Sequence, residues 1–159
     1  MDESTASNPS TVLLTHFDGS SRTASVKDEE IPFPEGKLIV SRTDTSGLIT
    51  HCNQSFIDIS GYAEDELIGQ PHHILRHPDM PRAAFKDLWD TLERGDKWHG
   101  YVKNLCKDGR YYWVYATAIP NIRNGITEGY TSVRRRPSQT RVNECIELYH
   151  QMLQEELGE

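Results

Sequence analysis

Five segments of this chain have the composition of β-strands, and their order limits the fold more than any other feature. They cover residues 37–43, 48–52, 97–106, 110–119 and 128–136. A block of short helical segments separates the first two from the last three, and the turn signals Asp108-Gly109 and Asn124-Gly125 divide the last three. This order predicts an α+β domain with a five-stranded antiparallel sheet and the helices on one face. A pocket between the sheet and the helices is then expected.

The helical segments of the middle block differ in length. Residues 53–69 are interrupted by Gly61 and Gly69, which favours two short helices. A longer helix is expected to begin at Pro81, because proline suits the first turn and apolar side chains recur at helical spacing from Phe85 onward.

The chain has 159 residues, which allows one ordinary hydrophobic core. We expect residues 36–137 to form that domain, residues 1–35 to be an N-terminal cap or flexible segment, and residues 138–159 to be a C-terminal linker or signalling helix. The amphipathic pattern over 138–157 needs a partner surface. That surface could be the domain's own sheet, a second copy, or a coiled coil continuing past residue 159.

The N-terminal segment is rich in Ser, Thr, Asp and Glu, with one apolar island. The island consists of Val12, Leu13, Leu14 and Phe17. It could form a short docking helix or no regular structure, since the surrounding composition is typical of disordered or partner-dependent segments.

Composition excludes several classes of partner. The net charge of -7 opposes nucleic-acid binding, and the run Arg134-Arg135-Arg136 is interpreted as a solvated strand end rather than a phosphate site. No apolar run approaches the length that spans a membrane, so this segment is not expected to insert. Three widely spaced cysteines argue against a disulfide framework. We therefore expect a cytoplasmic protein, or the cytoplasmic sensor segment of a larger membrane-anchored receptor.

A proline-framed loop over residues 76–81 gathers a cation, an imidazole and a carboxylate directly before the longer helix. Its two prolines restrict the backbone, so the polar side chains lose little freedom when they engage a ligand. The plainer interpretation is that Asp79 caps the helix and Arg76 forms a surface ion pair.

The order of elements, together with four sequence segments, resembles a PAS sensor domain. These segments are residues 47–53, 60–71, 108–109 and 112–113. More narrowly, residues 69–72 and 76–81, followed by Trp98 and residues 102–104, resemble the FAD-binding PAS domain of Aer-type aerotaxis receptors. The resemblance covers about residues 36–137. It implies a PAS fold, a non-covalently bound FAD, and redox signalling rather than turnover of a substrate.

The resemblance implies that six residues serve FAD binding: Asn53, Arg76, His77, Asp79, Trp98 and Asn104. Arg76 offers forked donors for phosphate or a ring oxygen, and the Asn104 amide can both donate to and accept from the imide edge of the flavin. His77 could stack or hydrogen-bond, or be a structural histidine. Asp79 is expected to order the loop by capping the helix and orienting Arg76.

Strand alternation adds two expectations about the pocket walls. Trp98 and Asn104 should share one face, where the indole could cover the pocket mouth, stack on a ring, or be an ordinary core side chain. On the next strand, the small side chain of Ala116 would leave room for a tricyclic ring.

Three other functions compete with the flavin hypothesis. A haem PAS domain could use His77 or His73 as an axial ligand. A metal site could start from His73 and His77, or from His72 and His73 with His51 and Cys52, although no compact zinc-type spacing is present. A cofactor-free PAS module would serve dimerisation alone. No hydrolase or phosphate-loop motif is visible, so the chain is not expected to be an enzyme.

The sequence therefore predicts an FAD-binding sensory domain that detects redox or oxygen status and relays it to a downstream chemotaxis-type signalling module, in cis or in trans, as a homodimer. Reduction would turn flavin N5 from an acceptor into a donor, and the Asn104 amide would rotate in response. The change would leave through the outer face of the sheet, where the N-terminal segment or the 138–157 helix docks. The sequence leaves open the effector, the redox partner and, apart from the resemblance, the choice of FAD over FMN.

Overall fold

An antiparallel five-stranded sheet is the centre of the molecule. The computed structural model describes residues 10–16 and 19–158. Strands in chain order are β1 (Ser10–Thr15), β2 (Ser21–Val26), β3 (Ile39–Thr43), β4 (Ile49–Cys52), β5 (Trp98–Leu105), β6 (Tyr111–Arg123) and β7 (Ile126–Arg135). The last five form the sheet in the order β4-β3-β7-β6-β5, and every neighbouring pair is antiparallel. The predicted α+β class and the five predicted strands are confirmed.

The helices are those expected, with one addition. They are α1 (Gln54–Ser60), α2 (Glu64–Leu67), a 3₁₀ helix (His72–Leu75), α3 (Arg82–Glu93) and α4 (Gln139–Leu157). Helix α1 begins where the Asn53 side chain accepts a hydrogen bond from the Phe56 amide at 3.1 Å. It ends at Gly61, whose φ of 79° is a left-handed conformation that glycine adopts without strain. The 3₁₀ helix was not predicted, because it is too short to show a period.

The hairpin between β6 and β7 is longer than the sequence indicated. We expected β6 to end at residue 119, but its pairing continues to Arg123, which lies opposite Ile126. Asn124 and Gly125 have φ values of 53° and 78°, as the two central residues of a type I′ turn require. The Asn124-Gly125 turn signal was therefore correct, and the strands on either side simply extend to it.

The core lies between the inner face of the sheet and helices α1 to α3. Tyr112 and Val114 of β6 are completely buried there, against Phe56 of α1 and Leu67 of α2. Alternate residues along β5 and β6 point inward, as a period of two requires. The side chains on the inner face of the sheet therefore lie opposite α3, and those on the outer face are left to contact another element.

Helix α4 is that element. The Tyr149 hydroxyl donates to the carbonyl of Tyr101 at 2.7 Å, and its ring stacks on Trp113 with centroids 6.2 Å apart. Trp113 follows Tyr112 in β6 and therefore faces the outer side of the sheet. Of the three partners considered for this helix, the domain's own sheet provides a surface for it.

The N-terminal segment differs from expectation. Strands β1 and β2 form an antiparallel hairpin, so the short helix considered for the apolar island is wrong for residues 12–14. Phe17 and residues 1–9 lie outside the described residues. Leu14 and Ala24 pack on Leu105 of β5, which attaches the hairpin to the end of the sheet. The pattern was missed because each strand has only six residues and weak apolar alternation.

Across the residues that the structure describes, no helix is both long enough and apolar enough to cross a membrane.

Candidate ligand site

A cavity of about 340 Å³ lies between the sheet and helix α3, and its size falls within the range of small-molecule pockets. Side chains from β5, β6 and β7 line one wall, and the 3₁₀ helix and α3 line the other. The α3 wall is mainly apolar, with Phe85, Leu88 and Trp89, and carries Glu93 at its end, while Ala116 and Ala118 on the sheet leave space opposite it. A flat apolar ring system could lie between these two walls.

Arg134 of β7 is the most unusual side chain in this cavity. It is only 4% exposed, yet no carboxylate of the described chain lies within ion-pair distance of it. Its Nη2 donates to Ser41 Oγ at 3.0 Å and to His72 Nε2 at 2.8 Å, while Nη1 is buried without a hydrogen-bond partner. Burial lowers the pKa of Arg134 to about 10, so the guanidinium stays charged at neutral pH. A buried, unpaired cation of this kind favours an electron-rich ligand.

Arg76 places a second guanidinium at the cavity. It is 5% exposed and donates to the carbonyl of Thr15 at 2.7 Å, to His16 Nδ1 at 3.2 Å and to the carbonyl of Met80 at 2.8 Å. Its Nε is buried without a partner. Burial lowers the pKa of Arg76 to about 10, which again leaves it charged at neutral pH. The Phe85 ring centroid lies 5.6 Å from the guanidinium carbon.

Asn104 of β5 completes a set of unsatisfied donors. It is 4% exposed, lines the cavity, and its Nδ2 has no hydrogen-bond partner among the described residues. Its backbone forms a bridge with that of Arg76, so the amide and the guanidinium are held on neighbouring segments. Three buried donor groups, on Arg76, Asn104 and Arg134, therefore line one cavity. Since an orphaned buried donor is costly, the arrangement suits a ligand that brings acceptors.

His72 lies beside Arg134 on the cavity wall. Burial, together with the nearby charge of Arg134, lowers its pKa to about 3, so the imidazole is neutral and accepts the hydrogen bond from Arg134. Ser41 Oγ lies 3.1 Å from the same ring nitrogen. The three side chains form a hydrogen-bonded cluster in which the guanidinium is the charged member.

Three of the seven residues predicted for the site line the cavity: Arg76, Asn104 and Ala116. The other four lie outside its lining. Asn53 uses its side-chain oxygen to accept from the amides of Val40 and Phe56, and its Nδ2 donates to the Leu38 carbonyl at 2.9 Å. It therefore joins β3 to α1.

Trp98 shares the inward face of β5 with Asn104, as alternation predicted. Its indole lies over Gly100 and donates from Nε1 to Asp87 of α3 at 2.9 Å. A different tryptophan, Trp89 of α3, lines the cavity and meets the Tyr130 ring edge-on at 5.3 Å.

His77 and Asp79 stabilise the loop before α3. His77 is 3% exposed and accepts from the Asp79 amide at 3.0 Å through Nδ1. Asp79 is exposed and pairs with Lys103 at 2.7 Å. The expectation that Asp79 caps the helix is wrong, because α3 begins at Arg82 and Asp79 is directed to Lys103 of β5 instead.

Sequence reasoning also missed Arg134, which was interpreted as part of a solvated strand end. Arg135 and Arg136 are exposed as expected, but strand alternation turns Arg134 inward. The period of two could have suggested one inward arginine in the run, although it could not say which one until the pairing of β7 was known.

The two histidines considered as haem ligands lie in different places relative to the cavity. His77 is not part of its lining, while His73 is and stacks on His16 with ring centroids 3.8 Å apart. Within residues 10–16 and 19–158, no group of three or more His, Cys, Asp or Glu side chains is placed to hold a metal ion.

Comparison with known proteins gives the same fold. The chain is 44% identical over 124 residues to the aerotaxis receptor of Escherichia coli, which covers 78% of this chain and 24% of the receptor. It is 34% identical over 83 residues to the biofilm dispersion protein BdlA of Pseudomonas aeruginosa, covering 52% of this chain and 20% of that protein. The chain thus spans a fifth to a quarter of the length of these relatives.

A solved PAS domain of a protein from Colwellia psychrerythraea superposes with a TM-score of 0.58 at 25% identity, covering 64% of this chain and 87% of the other. Residues 49–133, more than half of the chain, match the sequence profile of the PAS fold. The matched segment runs from β4 to β7 and includes the 3₁₀ helix, α3 and most of the cavity wall. The chain therefore belongs to the PAS family.

Proposed function

We propose that this PAS domain binds a flavin, FAD, non-covalently, and that it reports the redox or oxygen status of the cell to a downstream chemotaxis-type signalling module. The observation that carries this proposal is the set of three buried donors on Arg76, Asn104 and Arg134 around one cavity with an apolar wall. A flavin combines the matching features, since its flat ring is apolar on both faces and bears acceptor atoms along its edge. The adjoining pyrophosphate of FAD adds further acceptors.

The relatives support the signalling part of the proposal. The relative at 44% identity is named an aerotaxis receptor, and the one at 34% a biofilm dispersion protein. Neither name describes an enzyme. A sensory role without substrate turnover is therefore part of the proposal. A homodimer and a downstream module in cis or in trans remain part of the proposal, as does a cytoplasmic setting.

Different residues of the cavity would bind different parts of the flavin. Arg134 and Asn104 project from the sheet and would donate to acceptors on the ring, while Arg76 lies where the loop and the N-terminal hairpin meet and would donate to a ring oxygen or a phosphate. Phe85, Leu88 and Trp89 would cover the other face. Asn53, His77, Asp79 and Trp98 would act by holding the backbone around the cavity.

Asn104 is the proposed sensor of the redox state. A bound flavin supplies an edge nitrogen that accepts hydrogen bonds when oxidised and donates them when reduced. The Asn104 side-chain amide can form a hydrogen bond with either state by rotating by about 180°, because its oxygen accepts and its nitrogen donates. Since Asn104 pairs through its backbone with β6 and with Arg76, its rotation would disturb both the sheet and the loop. A coupling of about 1–3 kcal/mol would suffice for signalling.

One spectrum of the purified protein tests the ligand. We expect flavin absorption bands that bleach with dithionite, either as purified or after FAD is added. A Soret band would favour the haem alternative. A spectrum that shows aromatic absorption alone, even with excess FAD, would overturn the proposal in favour of a cofactor-free module.

Replacing Asn104 with leucine should separate binding from signalling. Leucine has a similar shape and removes the orphaned amide, so the domain should fold, and FAD affinity should fall by about tenfold for one lost hydrogen bond. The change in amide exchange of α4 on flavin reduction should disappear. Asn121→Leu, at an asparagine of β6 outside the cavity lining, is the matched control. A redox response of α4 that persists in Asn104→Leu would show that another residue is the sensor.

A further inference from the structure

Helix α3 begins without a cap from its own segment. Its N-cap residue is Pro81, which has no side-chain acceptor, and Asp79 is engaged with Lys103. The first amides of a helix need acceptors from elsewhere in such a case. The missing acceptors come from the opposite end of the chain.

Glu156, near the end of α4, supplies both of them. Its Oε1 accepts from the Arg82 amide at 3.1 Å, and its Oε2 accepts from the Ala83 amide at 3.0 Å. The Arg82 side chain adds an ion pair, with Nε 3.5 Å from Oε1. The Glu156 side chain is only 17% exposed. A carboxylate at a helix N-terminus is also favoured by the helix dipole.

The same short segment supports the cavity. Arg76 Nη2 donates to the Met80 carbonyl at 2.8 Å, and Met80 is separated from Arg82 only by Pro81. Residues 80–83 therefore hold the Arg76 guanidinium on one side and the Glu156 carboxylate on the other. The Glu156 charge also acts to raise the pKa of Arg76 against the larger effect of burial, which lowers it. The carboxylate thus influences the cavity without lining it.

Helix α4 has a second attachment about two turns earlier. The Tyr149 hydroxyl bonds to the Tyr101 carbonyl on β5, the strand that carries Asn104. Helix α4 is therefore joined to β5, which carries Asn104, through Tyr149, and to the start of α3, next to the Met80 carbonyl that holds Arg76, through Glu156. Of the two, only the Glu156 contact relies on a charge.

We infer that Glu156 is a positioning residue of the ligand site, which caps α3 from α4 and thereby couples the placement of Arg76 to the docking of the last turn of α4. The part of this inference that concerns ligand binding rests on the proposed flavin function. Coupling of this kind is reciprocal. If the docking of α4 increases the affinity for FAD, bound FAD must increase the docking equilibrium constant of α4 by the same factor.

The test compares Glu156→Ala and Glu156→Gln with Glu155→Ala, an exposed neighbour on the same helix. In Glu156→Ala we expect faster amide exchange at residues 82–84 and 149–157, and FAD affinity lower by about fivefold. Glu156→Gln keeps one acceptor oxygen, so its exchange rates and its FAD affinity should lie between those of Glu156→Ala and those of Glu155→Ala. Adding FAD should slow exchange at 149–157 in the unmodified protein and in Glu155→Ala, but not in Glu156→Ala.

Two results would overturn the inference. One is exchange at 82–84 that is the same in Glu156→Ala and Glu155→Ala, and the other is faster exchange there with unchanged FAD affinity. If the unmodified protein binds no FAD at all, the proposed function fails instead. The positioning role is then decided by exchange at Thr15 and His16, the partners of Arg76, which should be faster in Glu156→Ala than in Glu155→Ala.

Discussion

Replacing Arg134 with methionine is expected to reduce flavin affinity by about 30- to 150-fold while leaving the ligand-free protein close to its original stability. The loss corresponds to about 2–3 kcal/mol, the usual worth of hydrogen bonds from a charged donor. Methionine fills a similar volume along the same path but brings no charge and no donor. We rank this as the largest effect of a single substitution on ligand binding.

The contrast between binding and stability follows from the surroundings of Arg134. Burial of a guanidinium without a carboxylate partner costs several kcal/mol, and its two neutral acceptors, Ser41 and His72, offset that cost only in part. Removing the charge relieves that cost but leaves Ser41 and His72 with only the hydrogen bond between them, so the two changes nearly cancel. We expect the free energy of unfolding without ligand to change by less than about 1 kcal/mol.

The measurement is FAD titration followed by flavin fluorescence, together with urea unfolding in the absence of FAD. Arg135→Met is the matched control, since Arg135 is the next residue of β7 and is exposed. Arg134→Lys should restore only part of the affinity, because an ammonium cannot present the guanidinium fork. Wild-type affinity in Arg134→Met would remove this residue from the site, and severe destabilisation would make it a structural residue instead.

Mild acid is expected to destabilise the domain well before its carboxylates titrate. Burial, together with the charge of Lys103, lowers the pKa of His77 to about 4, and burial with Arg134 lowers that of His72 to about 3. In the unfolded chain both imidazoles bind protons below about pH 6.5. Between these folded-state pKa values and about pH 6.5, the unfolded state binds more protons than the folded state. The free energy of unfolding therefore falls as the pH falls. From pH 7 to pH 5 each histidine should contribute about 2 kcal/mol of this loss.

Urea unfolding at pH 7, 6 and 5 measures this loss. His77→Asn keeps an acceptor where Nδ1 receives the Asp79 amide, and His72→Gln keeps one where Nε2 receives Arg134. Each variant should reduce the loss between pH 7 and pH 5 by about 2 kcal/mol. His51→Gln, at an exposed histidine, is the matched control. A free energy of unfolding that is constant from pH 7 to pH 5 would show that neither ring is held neutral by the fold.

The sheet and the helices could be read from the sequence because their signals are local. Alternation of apolar residues marks strands such as β5, and Asn124-Gly125 marks a turn that few other dipeptides could form. The N-terminal hairpin lacked such a signal. Its strands are short, and only Leu14 and Ala24 are buried along their described length. Their pairing depends on contacts with β5 and the 3₁₀ helix rather than on their own composition.

The candidate site was predicted in part for the same reason. Arg76 and Asn104 were implied by the resemblance to Aer-type PAS domains, while strand alternation placed Asn104 and Ala116 on the inward faces of predicted strands. Arg134 was missed because a run of three arginines has the composition of an exposed strand end. Whether a given arginine faces water or the core depends on the register of β7 against β3 and β6, and no local pattern reports it.

Taken by itself, the sequence determined the α+β class, the order of its elements and the presence of a polar loop before α3, because propensity, periodicity and turn chemistry act over a few residues, and its resemblance to PAS domains implied the PAS fold. Only the tertiary structure decided which polar groups share the cavity and which charges are left without partners there. It also decided that Glu156 caps a helix 74 residues away. Such contacts join segments that are distant in the chain, and their geometry is set by strand register and helix packing rather than by any neighbouring residue.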